Sequence, residues 1–391
     1  MKTRTVRRLS AAHWVALAAV AVATTMGQAS PAVADPPETA EVALAWQETA
    51  LTTIPFSPAQ SLYLAFTSRA VDKAVRTSLK QQASSETAAV AQAAHDVLAE
   101  YFPAASGALD ARLATSLDSV PDGEAKARGI AIGADAADEV IASRVGDGRG
   151  DSSIVYSADP GPGVWIDSRP MAVAWYGFVD RVNGKRPVAV DGPDPVGSPE
   201  YRADLAEVQA NGRAGADATK AATATFFNVP AFGLYRNALI GHLRSHPLSL
   251  AETADLFGDL DRASAEAMRQ TWRLKFTEGF WRPTAAITSQ DGDPLTEPVA
   301  GWTSVLPVPP YPEYPSGHGT ITSAFAQTVR CHLGDIPLTL VGAGGQVRAY
   351  GSLADLEHDA FMSRIWGGIH FRDAMDDAFQ IGHTVAGQVC G

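Results

Sequence analysis

Hydrophobic residues recur every three or four positions along most of this chain, a spacing that places them on one face of an α-helix. In the N-terminal half, one such face contains Val90, Ala94, Val97, Leu98 and Tyr101. Proline, glycine and serine interrupt the pattern and mark helix ends. The spacing predicts four helices in this half, near residues 58–79, 84–101, 105–118 and 123–145.

The periodicity is lost between Gly146 and Pro199, where glycine, proline and aspartate are frequent. A segment of this length without a helical or strand pattern predicts a long surface loop. We place a boundary here, between an N-terminal helical region with this loop, residues 35–200, and a C-terminal region, residues 201–391.

Helical spacing returns after the loop. Ser249 and Glu252 have the pattern of a capping box, which predicts the start of a long helix that reaches Trp281 before Pro283 ends it. A proline-rich loop and a glycine-rich link with room for a short strand lie farther along. The other helices predicted in this half lie near 201–211, 215–227, 230–245, 317–332, 353–365 and 370–389. The expected fold class is therefore all-α, a helical bundle.

The first 34 residues have a composition of their own. Four basic residues stand among the first eight, an apolar run extends from Ala11 to Met26, and Ala32-Val33-Ala34 precedes Asp35. This is the layout of a secretory signal peptide, and the apolar run is shorter than the roughly 20 residues of a spanning helix. A short membrane anchor is the alternative. We expect residues 1–34 to be removed and the mature protein to be secreted, either to the extracellular space or to the periplasm.

Charge and cysteine content exclude several classes of function. The expected mature chain has 27 basic and 43 acidic residues, a formal charge of -16, which argues against a nucleic acid partner. No later stretch approaches 18 consecutive apolar residues, so we expect no membrane span in the mature chain. The two cysteines, Cys331 and Cys390, are too few for a zinc knuckle, and an oxidising compartment would favour a disulfide between them.

Three groups of polar residues in the last third are candidates for chemistry. The first is Lys275 and Arg282, seven positions apart. On one continuous helix, seven residues return to nearly the same direction, so both cations would point to one place. Glu278 stands between them and offers a simpler interpretation, a ladder of surface ion pairs.

The second group is Pro315-Ser316-Gly317-His318 at a predicted helix start. Serine is a common N-cap, glycine lets a ligand approach the backbone, and the free N–H groups of a first turn attract an anion. His318 shares a stripe with Ile321, Phe325 and Thr328 and so faces inward. It would lie either beside that anion or in the core as a hydrogen-bonded histidine.

The third group is Ser363-Arg364 followed by His370, with Gly367-Gly368 between them. His370 begins a hydrophobic stripe and therefore points to the core. The two glycines let the chain turn so that Arg364 and His370 converge. A plain turn between two helices is the alternative.

In this order, Lys-x6-Arg-Pro, Pro-Ser-Gly-His and Ser-Arg-x5-His resemble the signature of the superfamily of vanadium-dependent haloperoxidases and type 2 phosphatidic acid phosphatases. The signature covers residues 275–377, and residues 94–148 and 199–228 are similar to the N-terminal helices of bacterial haloperoxidase-like members. The resemblance implies a mostly α fold with a four-helix core around the site, next to an additional N-terminal helical half.

The resemblance also implies roles. The oxygens of vanadate or phosphate would be held by Lys275, Arg282, Ser316, Gly317 and Arg364. His370 would bond to vanadium in a peroxidase or attack phosphorus in a phosphatase. His318 would be the general acid–base.

One position departs from the family pattern. An aspartate often stands four residues after the last histidine and orients its ring, but here that position is Ala374, and Asp373 stands one residue earlier. Asp373 would orient His370 from a shifted angle or would be a solvated acid at a helix start. The displacement argues more against phosphohistidine chemistry, which needs an oriented nucleophile.

Two aromatic residues are candidates for halide or substrate contacts. Trp272 and Tyr311 match positions where chloroperoxidase-type members have Trp and Phe near the halide, although Tyr is not the usual residue there. Either ring could instead belong to the core. The sequence leaves the halide preference open.

The helices beginning at Ser316 and His370 would both start at the anion site and run away from it. Their far ends, where Cys331 and Cys390 lie, are therefore expected to be neighbours.

We expect a haloperoxidase that uses vanadate, hydrogen peroxide and halide to act on an organic acceptor. Residues 280–283, Phe-Trp-Arg-Pro, resemble haloperoxidases more than small acid phosphatases. The alternative is a secreted acid phosphatase that cleaves phosphate esters in the same pocket without vanadate. A non-catalytic oxyanion-binding protein would require His318 or His370 to be badly placed. The sequence indicates nothing about the oligomeric state.

We predict that exported protein begins at Asp35, as measured by intact-mass and N-terminal peptide mass spectrometry. Replacing Ala32 and Ala34 with tryptophan should leave the leader attached, because signal peptidase requires small residues at these positions. Exported wild-type protein that retains Met1 would contradict the prediction that residues 1–34 are a cleaved leader.

Overall fold

The computed structural model describes residues 40–81 and 83–390; the predicted leader and its cleavage site at Asp35 lie outside them. This part of the chain is mostly α-helical, as predicted. Its helices are α1 Glu41–Thr53, α2 Gln60–Lys80, α3 Glu86–Tyr101, α4 Ser106–Asp118, α5 Glu124–Ala142, α6 Pro199–Asn211, α7 Ala218–Phe226, α8 Ala231–Ser245, α9 Leu250–Glu278, α10 Pro283–Thr288, α11 Gly317–Leu333, α12 Leu353–Trp366 and α13 Arg372–Cys390.

Most predicted helices agree with these bounds within a few residues, but α1 and α10 were not predicted. The buried face of α1 includes Ala43, Trp46, Gln47 and Ala50, so helical spacing was present in the sequence. α10 has only six residues, too few to show a period.

The long helix α9 is the axis of the structure. Its start is the predicted capping box: Ser249 Oγ accepts a hydrogen bond from Glu252 N, and Glu252 Oε2 accepts one from Ser249 N. Its end is Glu278 rather than Trp281. Gly279 takes a left-handed conformation, φ 57°, and the Tyr156 ring fills the space where a β-carbon would stand, so the helix stops there.

The core lies where α9 packs against helices from both halves. α2 runs along one side of α9, and α11 and α13 pack against another, with α12 against α11. α9, α11, α12 and α13 thus form a helical core in the C-terminal region. In the N-terminal region, α2, α3 and α5 pack against one another.

The loop after α5 is more deeply integrated than the surface loop predicted from the sequence. Trp165, Met171 and Tyr176 are buried in the main core. The loop's backbone pairs with the turn after α9, since Trp165 N donates to Gly279 O at 2.7 Å and Trp281 N donates to Gly163 O at 3.0 Å. These pairs satisfy the buried polar groups of both segments, which is why an aperiodic segment can lie inside the protein.

The glycine-rich link contains a small hairpin, in agreement with the short strand expected there. Leu338–Val341 (β1) and Val347–Tyr350 (β2) pair antiparallel, with Leu338 opposite Tyr350. Within the described ranges, no helix is long and apolar enough to cross a membrane.

Cys331 near the end of α11 and Cys390 at the end of α13 are joined by a disulfide, with their Cα atoms 6.3 Å apart. α11 and α13 pack along each other, so their ends meet.

We predict that the exported protein carries this bond. Alkylation of the native, non-reduced protein should label neither thiol, whereas reduction should expose two. Closing a loop of 59 residues reduces the entropy of the unfolded chain, so the Cys331→Ser, Cys390→Ser variant should lose about 4 kcal/mol of unfolding free energy. Labelling of both cysteines without reductant would contradict the prediction.

Candidate active site

The three groups of polar residues singled out in the sequence meet at one place. Lys275 lies in the last turn of α9 and Arg282 is the residue before α10. Ser316 caps α11, and Arg364 lies in the last turn of α12. His370 lies in the turn between α12 and α13. Each candidate side chain thus comes from a helix end, where the chain is free to change direction.

Lys275 and Arg282 converge, but not by the route that the sequence predicted. Because α9 ends at Glu278, they do not share a helix face, and the surface ion-pair ladder is also wrong, since Lys275 is fully buried. Instead, both donate to one loop: Lys275 Nζ to Pro312 O and Glu313 O, at 2.9 and 2.8 Å, and Arg282 Nη2 to Pro312 O at 3.3 Å. Carbonyl oxygens thus hold two cations together in the interior.

Arg364 is the third buried cation, with 2% of its surface exposed. Its Nε and Nη1 groups are buried and have no hydrogen-bond acceptor among the described residues. An unpaired buried donor on a charged group is costly, by several kcal/mol in typical cases. The guanidinium is therefore arranged for an acceptor that the chain itself does not supply.

The start of α11 adds backbone donors. Ser316 is buried, and its Oγ accepts from Gly319 N at 3.2 Å, as an N-cap does. The N–H groups of Gly317 and His318 belong to the first turn, which has no acceptor within the helix. Gly317 also allows a close approach, because a β-carbon there would stand 3.2 Å from the Trp272 ring.

His370 is held by a residue that the sequence analysis did not identify. Its Nδ1 lies 2.7 Å from Glu313 Oε1, which also accepts from Phe371 N. Its Nε2 lies 3.2 Å from Arg282 Nη1, a group that can only donate. His370 is therefore neutral, with the proton on Nδ1 and a lone pair on Nε2. Burial, followed by the nearby Arg282, lowers its pKa well below the usual value.

His318 is partly exposed and faces the same region. Its Nε2 lies 3.4 Å from Val229 O, which fixes the proton on that nitrogen and leaves Nδ1 as the basic atom. Burial lowers the pKa of His318 well below its usual value, and Arg364 lowers it further.

Trp272 and Tyr311 form an aromatic wall beside the cations. Their ring centroids are 5.2 Å apart, and Lys275 Nζ lies 5.7 Å from the first ring and 5.2 Å from the second. Trp272 is buried and donates from Nε1 to Ala172 O in the long loop. Trp272 is thus a core residue and Tyr311 is a half-buried residue that packs against the core, and both are neighbours of the site.

Asp373 does not orient His370, and the sequence expectation is wrong on this point. Its carboxylate accepts from Asp194 N at 3.3 Å, and its own N–H donates to Asp204 Oδ2. Nor is it a freely solvated acid: burial, then Asp194 and Asp377, raise its pKa to about 7. A position one residue earlier on α13 points the side chain roughly 100° away from the expected direction.

Glu313, which lies in the loop before Ser316, orients His370 in place of Asp373. It is fully buried, and burial raises its pKa to about 8 despite the opposing effect of Arg282 and Lys275. In the sequence, an acid two residues before Pro315 is unusual for a buried loop. This acid in a proline-rich loop was the only sequence feature that could have indicated the contact, because no regular spacing relates Glu313 to His370.

The electrostatics of the site fit a tetrahedral oxyanion. Burial lowers the pKa of Lys275 well below the usual value and that of Arg364 to about 10, so the protein destabilises its own cations here. An oxyanion would neutralise these charges and accept from the unpaired donors of Arg364. The donor set, with three cations, a serine hydroxyl and a helix start, suits four oxygens.

Comparison with known proteins finds similarity to vanadium haloperoxidases. Residues 256–391 match the family model described as the VCPO second helical-bundle domain. Vanadium chloroperoxidase of Curvularia inaequalis is 33% identical over 96 residues, which span 22% of this chain and 16% of that protein. The C-terminal third of the chain is thus similar to a helical domain of vanadium haloperoxidases, and the stretch matched in the curated relative is a small part of that protein's length.

Solved haloperoxidase structures share the fold over most of their length. A bacterial vanadium-dependent iodoperoxidase has a TM-score of 0.73 and 19% identity, over 91% of this chain and 97% of that chain. A bacterial vanadium-dependent chloroperoxidase in its holo form has a TM-score of 0.67 and 16% identity, over 86% of this chain and 93% of that chain. At these identities the likeness concerns the fold alone.

We predict that Glu313→Ala weakens vanadate binding about 10- to 100-fold, because His370 Nδ1 and Phe371 N both lose their acceptor. Glu313→Gln keeps an acceptor oxygen and should restore most of the affinity. Equilibrium dialysis measures the binding, and cooperative thermal unfolding shows that the variants are folded. Asp373→Asn is the matched control and should bind vanadate like the wild type. A loss of affinity as large as that of Glu313→Ala would mean that Asp373 orients His370 after all.

Proposed function

We propose that this protein is a vanadium-dependent haloperoxidase. The observation that carries the proposal is the pair of buried Arg364 donors without an acceptor, beside the neutral ring of His370. A site with these features binds an oxyanion and offers it one nitrogen lone pair. The similarity of residues 256–391 to a helical domain of vanadium haloperoxidases supports vanadate as that oxyanion.

Vanadate oxygens would be held by Lys275, Arg282, Ser316, Gly317 and Arg364. His370 would bind the vanadium through Nε2, the ring nitrogen that Glu313 leaves unprotonated. Bound vanadate would supply a Lewis acid that takes up hydrogen peroxide and activates it for attack by halide. The three cations would withdraw charge from the oxyanion, and their burial makes this effect stronger than in water.

His318 would act as the general acid–base. Its lowered pKa keeps it neutral near pH 7, so Nδ1 can take a proton from a reactant and return it later. Val229 O holds the ring through the other nitrogen. The arrangement of both histidines therefore favours a catalyst over a protein that only binds an oxyanion.

Trp272 and Tyr311 are our candidates for contacts with the halide. Their rings lie within 6 Å of Lys275 Nζ, so a halide there would have a cation and two aromatic rings as neighbours. The small-molecule partners of the site would be hydrogen peroxide, a halide and an organic acceptor.

We further propose that the chain is exported from the cell after removal of residues 1–34.

One observation favours a second candidate, a secreted acid phosphatase. The displaced Asp373 argued against a histidine nucleophile, but Glu313 supplies the orienting carboxyl that such a nucleophile needs. His370 would then attack a phosphate ester, and His318 would protonate the leaving group. In this function the pocket would need no vanadate.

The deciding experiment uses purified protein, with and without vanadate. As a haloperoxidase, the vanadate-loaded protein should oxidise bromide or iodide with peroxide. His370→Ala should abolish vanadate retention, whereas His318→Ala should keep vanadate and lose roughly 10²- to 10⁴-fold in turnover. The exposed His358 provides the control, because His358→Ala should change neither.

The opposite pattern identifies the phosphatase. Protein without vanadate would hydrolyse phosphate esters, added vanadate would inhibit it, and both His370→Ala and His318→Ala would stop phosphate release. Failure to oxidise bromide and iodide, together with this hydrolysis, would overturn the haloperoxidase proposal.

A further inference from the structure

A cleft of about 620 Å³ lies between α2 and α9, next to residues 182–183 of the long loop. It is far from the active site: Arg262 in its wall stands 13 residues before Lys275 on α9, a distance of roughly 20 Å along the helix. Its charged lining consists of five cations and two carboxylates: Arg69, Lys73, Arg76, Lys80 and Arg262, with Asp72 and Asp259. Nothing in the proposed reaction uses them.

The cations of the cleft come mainly from one helix face. Arg69, Lys73, Arg76 and Lys80 recur on α2 at steps of four, three and four residues, so they line one side of the helix. Arg262 faces them from α9. Five cations therefore border a single cavity in a chain whose formal net charge is -12.

Nearby carboxylates compensate only some of these charges. Arg76 pairs with Asp72 and Asp255, and Arg262 pairs with Asp259 at 2.6 Å. Lys73 pairs with Glu139. Across the described ranges, no carboxylate pairs with Arg69 or Lys80, and burial together with Arg144 and Arg262 lowers the pKa of Arg69. The cleft thus keeps an excess of positive charge.

Two donors in the cleft also lack acceptors. Arg262 Nε and Asn183 Nδ2 are buried atoms with no hydrogen-bond partner among the described residues. They belong to residues on different elements, α9 and the long loop, whose other atoms line the cavity, while the two donor atoms are closed off from solvent. Buried donors without acceptors are uncommon in proteins, and here they accompany uncompensated cations.

A metal ion is the weaker interpretation of the same region. Asp255, Asp259 and His332 lie close enough together to hold one. However, Arg76 and Arg262 already pair with the two carboxylates, and His332 Nε2 contacts Asp259 Oδ2 at 3.1 Å. An added cation would have to displace two guanidinium groups.

We propose that this cleft is a second anion site, which binds a small soluble molecule carrying phosphate groups. Phosphate offers several acceptor oxygens and more than one charge, which matches the separated lysine and arginine side chains that line the cleft. The volume lies in the range of small-molecule sites. This inference does not depend on the reaction at the active site.

The test uses inorganic pyrophosphate as the probe, at low ionic strength because salt screens such contacts. Isothermal titration is carried out on Arg364→Gln protein, so that the active site contributes little. One binding event should remain, and adding Arg69→Gln and Lys80→Gln should weaken it at least about tenfold. Lys126→Gln with Arg128→Gln removes the same charge from α5 and should leave the affinity within about twofold.

A second measurement uses unmodified wild-type protein. Pyrophosphate should protect Lys73 and Lys80 from acetylation, as read by peptide mass spectrometry, while Lys126 reacts equally with and without the probe. The proposal is overturned if neither cleft lysine is protected, or if the cleft and control substitutions reduce pyrophosphate affinity equally.

Discussion

The structure depends on the burial of three like charges around one point. Lys275, Arg282 and Arg364 are each almost completely excluded from solvent, although each would be better solvated outside. Backbone carbonyls of residues 311–313 hold the first two, and Arg364 keeps two donors without acceptors. Such an arrangement requires a rigid scaffold: Lys275 and Arg364 stand in the last turns of packed helices, and Arg282 stands just before α10.

That scaffold includes parts of the chain far from the motifs. Arg282 follows the turn at Gly279–Trp281. The backbone of this turn forms hydrogen bonds with the long loop at the residues before and after Val164. In the same loop, Ala172 O accepts a hydrogen bond from Trp272 Nε1, and Ala172 N donates one to Pro310 O. The N-terminal region therefore fixes the position of a cation and of the aromatic wall, rather than only enlarging the core.

Glu313 links the cations to the histidine. It lies beside Lys275 and Arg282, and it sets the ring orientation and the tautomer of His370. Since a neutral, oriented imidazole serves a metal ligand and a nucleophile equally well, this contact does not itself choose between peroxidase and phosphatase chemistry. Which of the two reactions occurs depends on the reacting groups that the surrounding cations and aromatic rings stabilise. The positions of these cations and rings are set by the tertiary structure.

The sequence by itself determined most of the helices and the three groups of polar residues that the structure brings together. Helical periodicity and capping depend on neighbours three or four positions apart, and the three motifs are contiguous, so both are visible in one dimension. Only tertiary structure decided that α9 stops at Glu278, that Lys275 and Arg282 meet through a shared carbonyl loop, and that Glu313 rather than Asp373 orients His370. The physical reason is that these outcomes arise from contacts between segments tens or hundreds of residues apart, as with Tyr156 at Gly279, and no spacing along the chain encodes them.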